Sequence, residues 1–153
     1  MKNKGFSLVE LIIVIAIMAI LAAAIAPALI RYIDKSRKSD DLAAAETINT
    51  AVNAALANED AYSEVAKMNY MTSTAGTVFV SASAESAFAN TDVPTFISEV
   101  NSSIGGTAPK IKYTKDGAAG WGIALSKNGK AMVFIGSSGT EIELQPEIST
   151  SYK

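Results

Sequence analysis

The 153-residue sequence has no cysteine, no histidine and a single tryptophan. Without cysteine there is no disulfide to staple a small lobe, no thiol nucleophile and no thiolate ligand for most zinc or haem sites. Without histidine the commonest metal ligand and the usual proton shuttle near neutral pH are missing as well. A basic excess is also lacking: 13 Lys+Arg against 15 Asp+Glu leave a net charge of −2, which gives bulk electrostatics no footprint for nucleic acid. No Gly-rich phosphate loop, nucleophile elbow or metal-ligand spacing occurs. The expectation is a non-enzymatic chain with no cofactor, no metal and no nucleic-acid partner, whose soluble part stands on packing alone.

What is present is unevenly distributed. Apolar residues make up 49% of the chain, yet residues 11–30 form a run of 20 without one charged side chain. At about 1.5 Å per helical residue that run covers roughly 30 Å, the thickness of a bilayer's hydrocarbon core. An ordinary secretory signal has an apolar region of only about 7 to 15 residues. Pro27 also stands where the mature end would begin if Ala24-Ile25-Ala26 were its cleavage site. A retained membrane span is therefore expected, not a discarded signal. Lys2 and Lys4 precede the run, whereas Arg31, Lys35, Arg37 and Lys38 follow it. Counted alone, that imbalance favours placing the following residues in the cytoplasm.

Beyond the run, Leu42, Ala45, Ile48, Val52 and Leu56 recur every three or four residues and define an apolar stripe, so a helix is expected from Phe6 to about residue 57. Asp34 and Lys38 are spaced for an i,i+4 pair. Residues 59–106 are rich in Ala, Ser, Thr and Asn and resist assignment, apart from a short strand near 77–81 and a helix opened by Pro94. Phe96, Ile97, Val100 and Ile104 keep helical spacing there until Gly105-Gly106. Residues 110–114, 121–126, 131–135 and 141–144 read as short strands between Asp-Gly, Asn-Gly and Ser-Gly turns, with Asn128-Gly129 the strongest hairpin signal. The predicted class is α+β: a long N-terminal helix, half membrane-spanning and half amphipathic, packed against a small C-terminal antiparallel sheet.

The segment Lys4-Gly5-Phe6-Ser7-Leu8-Val9-Glu10, followed at once by the apolar run, resembles the class III signal of type IV prepilins. The resemblance is dense over residues 4–30. It implies a leader of residues 1–5 removed by a prepilin peptidase between Gly5 and Phe6, N-methylation of Phe6, and a polymerisation helix over residues 6–30. Residues 31–153 would then form the pilin lobe, with the amphipathic helix to about 57, a variable loop region, and strands from about 110. By resemblance, Glu10 meets the positive N-terminus of a neighbouring subunit and sets the stagger of assembly; the plainer reading is a carboxylate favoured by its own helix dipole. The resemblance further implies a helical homopolymer, dependence on a pilus assembly platform and ATPase machinery, residence in the cytoplasmic membrane before assembly, and an extracellular pilus afterwards. It places the N-terminus in the cytoplasm, and the basic cluster is then available to Asp34, Asp40 or Asp41 of adjacent subunits.

Pro27 frees the carbonyl of Ala23, which gives either a kink or an ordinary tolerated proline of a membrane helix. Thr47 stands where several pilins carry a second proline, so no second bend is expected. Asp116-Gly117 and Asp40-Asp41 supply too few oxygens for calcium and read as a turn and a solvated face. Three readings follow: a major-type pilin subunit; a minor pilin or pseudopilin of a type II secretion or DNA-uptake machine; and a monomeric membrane-anchored binding protein.

Overall fold

The computed structural model describes residues 6–68, 80–83, 85–125, 130–136 and 141–152. The chain divides into two compact units, Met1–Ser36 and Arg37–Lys153. Helix α1 is Leu8–Leu56, 49 residues with Pro27 inside it. In the first unit every described residue through Ile33 is exposed, so the apolar surface of this half finds nothing within the unit to pack on. It is long and apolar enough to cross a membrane, and its apolar window is wholly unburied.

In the second unit α1 buries Asp41, Ala45, Ile48, Ala51, Val52 and Ala55. These fall at the three- and four-residue intervals of one helical face. The predicted stripe is present but its centre is turned toward Ala51 and Ala55, leaving Leu42 and Leu56 half-buried at its edges. Two short helices follow. Asn58, beyond the end of α1, caps α2 (Glu59–Lys67) by accepting from the N–H groups of Asp60 at 3.0 Å and Ala61 at 3.4 Å. Glu59 and Asp60 in the first turn and Lys67 in the last complement the helix dipole. Helix α3 (Pro94–Ser103) opens on its proline and buries Phe96, Ile97 and Val100, as the spacing predicts. It has no cap from its own N-cap side chain. Instead Glu64 of α2 accepts from the N–H groups of Thr95 (2.9 Å) and Phe96 (3.2 Å) and from Thr95 Oγ1 (2.5 Å). Past its end Gly105 and Gly106 adopt φ of 86° and 99°, and Gly106 N–H donates to the carbonyl of Asn101 at 2.7 Å.

The sheet is an antiparallel meander of β1 (Val80–Ser83), β2 (Gly120–Leu125), β3 (Ala131–Gly136) and β4 (Ile142–Gln145), in that order. Alternate residues Val80, Ala82, Trp121, Ile123, Val133, Ile135 and Leu144 are buried and share one core with Ala45, Ile48 and Val52 of α1 and Phe96 and Val100 of α3. This α+β architecture matches the expected class. At Gly120 an added Cβ would lie 2.7 Å from the carbonyl oxygen of Ala82, so the β1–β2 pairing requires glycine there. Of the strand expected at 77–81, residues 80 and 81 lie in β1, and the rest falls outside the described residues, as does the Asn128-Gly129 turn.

Two expectations are corrected. Residues 110–114 are not a strand, because their backbone donors go to a side chain: Lys112 and Tyr113 N–H bind the Asp41 carboxylate at 2.8 and 2.9 Å. Just before them, Trp121 Nε1 donates to the carbonyl of Pro109 at 2.7 Å. In addition, α2 occupies part of the stretch for which the sequence suggested no structure.

Candidate processing and assembly segment

The N-terminal segment is organised around the start of α1. Ser7 stands just before the first helical residue, and its N–H donates to Glu10 Oε2 at 2.9 Å. Its carbonyl accepts from Leu11 N–H at 3.2 Å. Ser7-Leu8-Val9-Glu10 thereby forms the glutamate half of a capping box, in which an acidic third residue reaches back to an otherwise orphaned donor. The charge lies at the positive end of the helix dipole. That engagement lowers the cost of a carboxylate beside an apolar run, yet Glu10 stays exposed and an ionised carboxylate has further acceptor positions free for an outside cation. Phe6, 84% exposed, precedes it, and Gly5 lies outside the described residues. Pro27 is exposed within α1, in a stretch that includes Ala22, Ala23, Ala24 and Ala26.

A second polar centre lies in the lobe, where sequence reasoning placed a solvated face. That reading holds for Asp40, which is exposed and pairs with Lys112 Nζ at 2.9 Å. It fails for Asp41, which is fully buried. The Asp41 carboxylate accepts from Lys112 and Tyr113 N–H and from the hydroxyl of Tyr152 at 2.6 Å. Burial, reinforced by the hydrogen bond to the Asp41 carboxylate, pushes the Tyr152 phenol well above its ordinary value. Lys38 Nζ lies 4.8 Å from the ring centre of Tyr113 and 5.1 Å from that of Tyr152, and the two rings meet edge to face at 5.8 Å. The signal for Asp41 was its phase. It stands four residues before Ala45 and seven before Ile48, on the buried face, whereas Asp40 is one residue off it.

Asn101, the first residue of an Asn-Ser-Ser sequon, is likewise engaged. Its side-chain amide donates to the carbonyl of Phe88 at 2.9 Å and accepts from Phe88 N–H at 3.0 Å. Over the outer sheet face lies an open groove of about 560 Å³ lined by residues including Ser81, Ser83, Gly120, Gly122, Phe134 and Gly136. Among the described residues no three His, Cys, Asp or Glu side chains gather as a metal site.

The segment that starts at this capped helix end and continues into the unburied apolar helix is also where the sequence matches known proteins. Residues 1–26 match the family described as the prokaryotic N-terminal methylation motif, so the chain carries the methylation motif of type IV prepilins. It is similar to the type IV major pilin protein PilA of Myxococcus xanthus (strain DK1622), 30% identical over 142 residues that cover 81% of this chain and 64% of that protein. It is also similar to the type IV major alpha-pilin of Moraxella bovis, 56% identical over 57 residues, 35% of this chain and 34% of that one. The chain thus spans less than two thirds of the length of either relative. No solved structure matches it.

Proposed function

We propose that the chain is a major-type pilin precursor. Residues 1–5 are the leader, cut by a prepilin peptidase between Gly5 and Phe6, and the new amine of Phe6 is N-methylated. Residues 6–30 anchor the precursor in the cytoplasmic membrane with the N-terminus on the cytoplasmic side, and then serve as the polymerisation helix of a helical homopolymer displayed outside the cell. Residues 31–153 form the lobe. A pilus assembly platform and its ATPase would draw the subunit from the membrane.

The observation that carries this reading is an unburied apolar helix whose first turns lie within a matched methylation motif. Such a helix needs lipid before assembly and other protein afterwards, and head-to-tail docking that does not close generates an open helical polymer. Within that polymer Glu10 would give its remaining acceptor positions to the Phe6 amine of a neighbour and fix the axial register. Both relatives are named major pilins, which favours the major over the minor or secretion-type subunit. Mass spectrometry of the extracellular form tests the processing: an N-terminus at N-methylated Phe6 is expected, and retention of residues 1–5 refutes it. Shearing cells tests the major role, since the protein should dominate long surface fibres, and its absence from them sinks that assignment.

A further inference from the structure

The basic residues after the apolar run have fewer carboxylates to meet than the sequence suggests. Asp41 is buried with three donors of its own, Asp40 pairs with Lys112 within the chain, and Asp34 is already engaged. In the first unit Arg31 and Lys35 stand four residues apart on α1, and Tyr32 lies three residues before Lys35, so Lys35 adjoins both. All three are exposed, Tyr32 at 73%. Among the described residues neither Arg31 nor Lys35 has a hydrogen-bond or ion-pair partner.

Their position decides what they meet. They begin one residue after the uncharged run 11–30, whose helical length of about 30 Å matches the hydrocarbon core. A side chain at that step lies at headgroup level, where amphipathic rings settle and long basic side chains extend toward phosphate. We propose that Arg31, Tyr32 and Lys35 form a headgroup clamp that seats the membrane-resident subunit on anionic phospholipid. The Arg31 fork takes two phosphate oxygens, Lys35 adds a point charge, and the Tyr32 ring packs at the glycerol level with its hydroxyl toward the headgroups. Anionic lipid then holds the subunit in the membrane until assembly withdraws it, and the clamp takes up two of the four basic residues that follow the run. The clamp rests on the membrane-spanning reading of residues 6–30.

The chain lacks cysteine, so Ser36→Cys gives a single site for a fluorophore beside the clamp. The full chain so labelled is reconstituted in phosphatidylcholine vesicles containing a minor fraction of brominated phosphatidylglycerol or, separately, brominated phosphatidylcholine. Each cation near an anionic surface favours association about fivefold, so with two cations contact quenching should show a preference for the anionic lipid of up to about twenty-fivefold. The preference should fall in high salt and disappear in R31Q/K35Q. Equal quenching by the two lipids, or a preference that survives R31Q/K35Q, overturns the clamp. A chain that fails to float with the vesicles overturns the membrane-spanning reading and the clamp with it, whereas a floating chain without lipid preference overturns the clamp alone.

Discussion

The two halves of helix α1 differ in burial on the same backbone. From Leu8 through Ile30 the side chains are apolar on every face apart from Glu10 and a few small or proline positions, and all are exposed. From Asp41 to Ala55 only one face is buried, and it is largely alanine, with Ile48 and Val52 as its bulk. The first half buries nothing within its own unit, and on the proposed reading lipid or neighbouring subunits cover it. The second half is fixed by a core that includes Trp121, Ile123, Val133 and Phe96. If the proposed function holds, the difference teaches that substitutions in the first half should be read in assembly and those in the second in unfolding, with little crossover.

Glu10→Ala gives the widest separation. Removing the carboxylate deletes both the cap on Ser7 and the proposed contact with a neighbour's amine. Filament yield should fall at least about tenfold, since truncating one partner of a desolvated charge pair typically costs about 2–5 kcal/mol. Unfolding of the lobe should shift by less than about 0.5 kcal/mol. Sheared-fibre yield together with thermal unfolding of the detergent-solubilised chain checks both halves, and filaments at wild-type yield would remove Glu10 from the assembly role.

Asp41→Ala reverses the pattern. It leaves Lys112 N–H, Tyr113 N–H and the Tyr152 hydroxyl without their acceptor, and buried orphaned donors cost about 1–3 kcal/mol each. A loss of about 3–5 kcal/mol and a fall in Tm on the order of 10 °C are expected, while membrane insertion stays unchanged. A fall of only a degree or two would show that water replaces the carboxylate at little cost. Tyr152→Phe is milder, about 2 kcal/mol for one hydrogen bond to a charged acceptor, and it carries a pH signature. The phenol is raised above its ordinary value of 10.0, so its contribution is fully present below that pH and is lost above it as the unfolded chain ionises first. Stability of the wild type should drop above about pH 10, and Tyr152→Phe should flatten that limb.

How much of this was legible in the sequence depends on how local each signal is. The apolar run, the stripe, the Pro94 helix and the Asp116-Gly117 turn were readable because each is written in contiguous residues. The methylation motif was readable for the same reason. What escaped was long-range. Residues 110–114 alternate like a strand, but their donors are taken by Asp41 some 71 residues away along the chain, and no local pattern announces such a partner. The cap of α3 comes from Glu64 of α2, so neither helix shows it alone. Asp41 was misjudged by treating two adjacent aspartates as one feature, although a helix turns about 100° between them.

Glu64→Gln supplies the smallest and most selective test of the lobe side of the comparison. The hydrogen bond from Thr95 Oγ1, with those from the Phe96 and Thr95 N–H groups, holds the Glu64 carboxyl below its ordinary value of 4.5. A depressed carboxylate contributes stability that is present above the unfolded value and is lost as pH falls through the folded one. The wild-type lobe should therefore weaken below about pH 4.5, whereas Glu64→Gln, which retains an acceptor but cannot ionise, should be slightly less stable at neutral pH and lack that share of the acid limb. Because this carboxylate is solvent-accessible, the shift at neutral pH should shrink further in high salt. Thermal unfolding of both proteins across pH 3–7 decides the point: parallel curves would mean that Glu64 anchors α3 through shape alone, and converging curves at low pH that its charge does the anchoring.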